Sequence, residues 1–161
     1  MKDVDGRWRN RFRSMSSGLM RPRRTTLAVD ALGGPTLSGA SRGALAPLRA
    51  RIGASAFAFK GFDLTNLGRS AELLAHPAFG PVVAEALDEA SAITAKTIGR
   101  PVDLAGLVQT GDEPGLDRFP ETIALIVGME LAQIRLLERF FDVPVREARL
   151  SFGYSLGELS A

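Results

Sequence analysis

The sequence predicts an α/β fold, and three observations lead to it. Two short apolar runs, residues 54–59 (ASAFAF) and residues 145–152, read as strands. Between them lie segments with the three-and-four spacing of amphipathic helices, the longest at residues 121–141. The second run then passes through Gly153-x-Ser155-x-Gly157 into a helix start, and this order of strand, helices, strand, turn and helix is that of an α/β protein.

Composition bounds what such a fold can be. With 161 residues, 45% hydrophobic and 24% charged, the chain supports one ordinary domain with its own core. The absence of cysteine excludes disulfides, thiol catalysis and cysteine zinc sites, and a single histidine, His76, excludes a multi-histidine metal centre. No apolar run approaches the ~18–20 residues that span a bilayer, and no secretory signal opens the chain. The expectation is a soluble cytoplasmic protein without a membrane partner.

The net charge of +2 hides two opposite halves. Residues 1–51 carry 11 basic against 3 acidic side chains, and residues 52–161 carry 9 against 15. The basic half places Trp8 and Phe12 among arginines and is broken by Gly33, Gly34, Pro35, Gly39, Gly43 and Pro47, so residues 1–51 read as a disordered tail. A solvated tail, or upstream sequence from a misplaced start, outweighs a nucleic-acid or anionic-membrane arm, because no recognition motif accompanies the charge. Residues 26–34 fit a short strand and turn.

The domain proper is expected over residues 52–161. Residues 54–59 suit a buried parallel strand, and residues 67–75 suit a short helix stopped by His76-Pro77. Pro81 belongs in the first turn of the next helix, where Val82, Val83, Ala86, Leu87 and Ala90 share one face opposite Glu85, Asp88 and Glu89. Residues 99–115 read as loop with one helical turn within residues 102–108. In residues 121–141 the stripe runs through Ile123, Ile126, Val127, Leu131, Ile134 and Phe141, widened by Ala124, Leu125 and Leu137. Burial on more than one side is expected there. Pro144 ends that helix, and residues 145–152 form the second strand.

One motif carries chemistry. Gly153-Tyr154-Ser155-Leu156-Gly157 has the context of a nucleophile elbow, in which a serine occupies a strained turn between strand and helix. Glycines two residues either side let helix and strand approach without colliding side chains. Ser155 is then the nucleophile, and the Leu156 backbone N–H points where an oxyanion develops. Ser155-x-x-Glu158 also spells a capping box, which needs neither glycine.

From about residue 54 onward, the chain resembles the malonyl-CoA:acyl-carrier-protein transacylases and the acyltransferase domains of polyketide and fatty-acid synthases. Phe59-Lys60-Gly61-Phe62-Asp63 stands at the place of their F-P-G-Q-G turn, and Pro77-Ala78-Phe79 at that of a P-x-F step. Phe119-Pro120 stands at the place of a Q-P helix start, and Gly153-Tyr154-Ser155-Leu156-Gly157-Glu158 at that of G-H-S-x-G-E. The resemblance covers about two thirds of the chain. It implies the front part of an α/β-hydrolase-like acyltransferase domain. It further implies transfer of an acyl group, malonyl in the name-giving branch, from acyl-CoA to an acyl carrier protein in fatty-acid or polyketide synthesis. The Leu156 and Phe62 N–H groups would form the oxyanion hole, and synthase modules are candidate neighbours. No metal or redox cofactor is implied, since the CoA thioester is a substrate, and nucleic acid is not an expected partner.

Three positions depart from the family pattern. Tyr154 replaces the histidine before the nucleophile, Phe62 replaces the glutamine of the first turn, and Phe119 replaces the glutamine of the Q-P helix. In the family the catalytic histidine and a carboxylate-binding arginine follow the serine at a distance. His76 matches no catalytic position and reads as a surface or loop histidine, and Arg118 and Arg135 read as solvated charges rather than substrate clamps. The chain is therefore expected to be the front half of such an enzyme, inactive alone. Two alternatives stand beside it: an α/β-hydrolase-type esterase or thioesterase, and a degenerate acyltransferase fragment without catalysis.

Overall fold

The computed structural model describes residues 28–29, 35–36, 45–63 and 66–161. These residues form a mixed α/β structure, mostly helical, with a two-stranded parallel sheet. The expectation of a disordered tail lies outside the described residues except at residues 28–29, 35–36 and 45–51. Strand β1 (Ala28–Val29) pairs antiparallel with β2 (Pro35–Thr36). Helix α1 (Ala46–Ala50) follows, with Pro47 in its first turn, where a missing N–H is harmless. Leu45 and Leu48 pack against Ile52, Val143 and Val145, so residues 45–51 join the core of the chain that follows.

Strand β3 (Ala56–Phe59) pairs in parallel with β4 (Leu150–Gly153), Ala56 opposite Leu150 and Phe59 opposite Gly153. The pleat sends Phe57 toward the cluster of Ile52, Val143 and Val145, while Ala56, Ala58, Leu150 and Phe152 lie exposed on the opposite face. The expected fully buried strand is thus half-covered, because the described elements pack against one face only. The second strand is also shorter than expected. Pro144 leads into a tight turn, Val145–Glu147, held by Glu147 N–H on Pro144 O and Ala148 N–H on Val145 O. Pairing starts only where Arg149 N–H reaches Ser55 O.

Helix α2 (Ser70–Ala75) and helix α3 (Gly80–Ile98) take the expected places, with Pro81 in the first turn of α3 and Val82, Val83, Ala86 and Leu87 buried. Helix α4 (Leu104–Thr110) is longer than the single turn expected. Asp103 caps it by accepting the Gly106 N–H at 2.8 Å, and the Leu104 N–H donates to the buried Ser91 Oγ at 3.0 Å. Its Leu104 and Val108 are buried in the helical core.

Helix α5 (Phe119–Phe141) is the spine of the molecule, and its buried stripe is rotated from the expected one only in part. Leu125 and Ile126 are buried as expected, and Ile134, Leu137 and Phe141 pack on the second cluster, of Ile52, Val143 and Val145, so the helix is covered on more than one side. The line facing the helical core runs through Leu125, Met129, Ala132 and Leu136. Ile123, Val127 and Leu131 line a shallow groove of about 370 Å³ against α3 instead. The reason is close helix contact: a Cβ on Gly128 would lie 3.2 Å from the Ala90 Cβ, so small residues set the crossing and roll the larger ones outward. Among the described residues, no helix is long and apolar enough to cross a membrane.

Candidate functional site

Strand β4 leads into a one-turn helix, α6 (Gly157–Ser160), through Tyr154, Ser155 and Leu156. Ser155 has φ = 54°, in the left-handed region. Such a conformation disfavours any residue with a Cβ by roughly 1–2 kcal/mol. The other non-glycine residue at positive φ among the described ones is Asp142, whose φ of 55° closes α5, an ordinary use of a short polar residue. Ser155 has no such excuse.

Helix α6 and strand β4 touch backbone to backbone. A Cβ on Gly153 would lie 2.0 Å from the Gly157 carbonyl carbon, and one on Gly157 would lie 2.3 Å from Phe59 O. Only glycine fits at either position. The capping role for Ser155 and Glu158 is not seen, because α6 begins with Leu156 at its N-cap and without a side-chain capping bond. A serine at positive φ has also left the extended conformation that an N-cap residue adopts.

The turn after β3 lies against the same place. A Cβ on Gly61 would meet Tyr154 O at 2.7 Å and the Ser155 Cβ at 3.6 Å, so the Gly61–Phe62 peptide is a close neighbour of the serine. The Gly157 N–H donates to Tyr154 O and the Glu158 N–H to Ser155 O, whereas the Leu156 and Phe62 N–H groups make no backbone bond among the described residues. Phe62 meets Phe119 edge to face, with ring centres 5.6 Å apart, which brings two residues distant in the chain into one contact. The Tyr154 side chain is exposed, as are Ser155 and Glu158.

Two carboxylates missed in the sequence hold this turn. Glu130 of α5 accepts the Lys60 N–H at 2.8 Å, and Glu113 accepts the Asn66 and Leu67 N–H groups at 2.8 and 3.0 Å. Asn66 closes the loop by donating to Asp63 O and accepting the Asp63 N–H. Glu130 had a legible signal, an acidic side chain within the apolar run of α5; Glu113 had none.

The remaining candidates have partners of their own. The His76 ring stacks on Phe79 at 4.0 Å, and its Nδ1 accepts the Ala78 and Phe79 N–H groups at 3.2 Å each, which closes α2. Arg118 and Arg135 are ion-paired rather than merely solvated. Arg118 holds Asp112 through two hydrogen bonds of 2.8 Å, and Arg135 reaches from α5 to Glu89 of α3 at 2.6 Å. These hydrogen bonds hold the Asp112 and Glu89 carboxyls below the usual carboxylate range. No group of three or more His, Asp or Glu able to hold a metal ion occurs among the described residues.

No protein-family model matches this chain, and no curated protein or solved structure matches it either.

Proposed function

We propose that Ser155 is the nucleophile of an acyl transfer, taking an acyl group from an acyl-CoA and passing it to the thiol of an acyl carrier protein. One observation carries this reading. The serine sits at positive φ in a backbone-tight strand-to-helix turn, where glycine would be free of strain and serine is not. In this reading the turn is a nucleophile elbow on an α/β-hydrolase-like acyltransferase core, and Gly153 and Gly157 are there to let α6 descend onto the strands.

The chemistry runs in two balanced steps. Ser155 Oγ adds to the thioester carbonyl carbon while its proton passes to a base. The Leu156 N–H, with the Phe62 N–H as second donor, stabilises the oxyanion. Collapse expels the CoA thiolate, which takes up the proton and leaves an acyl-serine. The carrier thiol then attacks that ester by the same route, and the proton returns to Ser155 Oγ. His76 is engaged by two backbone N–H groups and does not act as the base. The resemblance assigns that role to a histidine C-terminal to the serine.

Chemical rescue tests the reading. The 161-residue chain is incubated with acyl-CoA and imidazole as external base, and its intact mass is followed. An acyl adduct that grows with imidazole concentration, is absent in Ser155→Ala and is discharged by pantetheine is the expected result. Equal labelling of Ser155→Ala overturns the assignment.

A further inference from the structure

We propose that the Phe62–Phe119 pair forms the acyl-binding wall beside Ser155, and that the acyl group it selects is an uncharged aliphatic one rather than a dicarboxylic half-thioester such as malonyl. This rests on the acyl-transfer reading of Ser155 and names its substrate class.

Three observations carry the inference. The turn bearing Phe62 is the neighbour of the serine, since a Cβ on the preceding Gly61 would lie 3.6 Å from the Ser155 Cβ. The next side chain along, Phe62, does not turn toward a polar partner but meets the Phe119 ring edge to face at 5.6 Å. The pair is built into the scaffold from both sides: the Lys60 N–H is fixed by Glu130 of α5, and Phe119 opens that same helix. Neither ring is fully covered, and Phe119 keeps 43% of its surface exposed. An aromatic pair left open one residue along from the glycine that touches Ser155 is an apolar surface waiting for an apolar group.

Charge points the same way. The cation just before each ring in the chain is already engaged, Lys60 with Asp63 at 3.7 Å and Arg118 with Asp112 at 2.8 Å. A malonyl carboxylate laid against the two rings would lose water without gaining a charged partner from these groups, and such desolvation is strongly unfavourable. An alkyl chain at the same place gains about fourfold in affinity for each methylene it buries. Aromatic rings at these two positions and a free carboxylate on the acyl group are therefore poorly matched.

Calorimetric titration of the full chain with CoA, malonyl-CoA and hexanoyl-CoA tests this. Hexanoyl-CoA is expected to bind about tenfold or more tighter than malonyl-CoA, with malonyl-CoA close to CoA itself, as two to three buried methylenes require. Phe119→Gln lies on an exposed first helical turn and leaves the core intact. It is expected to remove most of the preference for hexanoyl-CoA while leaving CoA affinity unchanged. Equal binding of hexanoyl- and malonyl-CoA overturns the inference and leaves the acyl-transfer reading standing. A preference that survives unaltered in both Phe119→Gln and Phe62→Gln overturns the assignment to this pair. Binding of none of the three overturns the acyl-transfer reading, and the inference with it.

Discussion

Replacing Gly153 with alanine probes the turn that everything else depends on. The added Cβ would lie 2.0 Å from the Gly157 carbonyl carbon, 2.1 Å from its oxygen and 2.5 Å from the Glu158 nitrogen, where ordinary contact begins at 3.4 Å. All three obstacles are backbone, so no side chain can swing away and α6 must lift off β4. Overpacking costs about 1–3 kcal/mol where neighbours can adjust; with backbone on both sides the upper end, about 3 kcal/mol, is expected. Gly53 is the matched control, since a Cβ there meets nothing within 4 Å and the residue is not at positive φ. Gly53→Ala is expected to be neutral or to stabilise by about 0.4–1 kcal/mol through the unfolded chain. Urea denaturation followed by circular dichroism reads both. With a slope of about 1–3 kcal/mol per molar, Gly153→Ala lowers the midpoint by about 1 M or more and Gly53→Ala does not. If Gly153→Ala unfolds within about 0.5 kcal/mol of the parent chain, the close approach of helix and strand is not what fixes Ser155.

Other outcomes follow from the same geometry. Ser155→Gly is expected to stabilise by about 1 kcal/mol, because glycine relieves the positive φ, and Ser155→Ala to stay within about 0.5 kcal/mol; a loss of about 1 kcal/mol in Ser155→Ala would mark a capping serine instead. Glu130→Ala removes the acceptor of the Lys60 N–H, which lies 2.8 Å away, and is expected to lower stability by about 1–2 kcal/mol. Hydrogen exchange at the Lys60 amide should speed up in that variant, with Glu130→Gln largely restoring protection. Stability should also fall in acid. The Glu89 and Asp112 carboxyls have folded-state values lowered by hydrogen bonds from Arg135 and Arg118. Their contribution is complete above the ordinary carboxylate value of about 4 and lost as pH falls through the lowered folded value. Denaturation midpoints taken from pH 6 downward check this, and Arg118→Gln should flatten the slope; both pairs are surface pairs, so added salt flattens it as well.

Much of the scaffold was legible because it is written in local patterns. Pro81 and the Val82, Val83, Ala86, Leu87 face identify α3, and the glycines flanking Ser155 mark a turn where only glycine fits. What was not legible depends on contacts between distant residues. The partly rotated stripe of α5 follows from Gly128 meeting Ala90, a contact that periodicity within one helix does not encode. The length of α4 depends on Ser91, which receives the Leu104 N–H from another helix. At the candidate site, Ser155, Leu156, Gly153, Gly157 and the Phe62 turn were all named from motif and order. The contact of Phe62 with Phe119 and the anchoring of the turn by Glu113 and Glu130 were not, since nothing in their spacing links residues so far apart. Arg118 and Arg135 read as solvated for the same reason: their partners are Asp112, in a loop, and Glu89, on another helix.

The central claim is that Ser155 in particular is the acyl acceptor, and one peptide decides it. Trypsin cleaves after Arg149, and the peptide beginning at Leu150 contains Ser151, Ser155 and Ser160, three serines of the same chain in different settings. Ser151, exposed in strand β4, reports nonspecific acylation under identical conditions, whereas the Ser160 Oγ at the end of α6 is buried. After incubation with acyl-CoA and imidazole, fragment-ion mapping of this peptide is expected to place the acyl mass on Ser155 alone. An acyl mass spread over the three serines, or found on Ser151 or Ser160 and not on Ser155, contradicts the account.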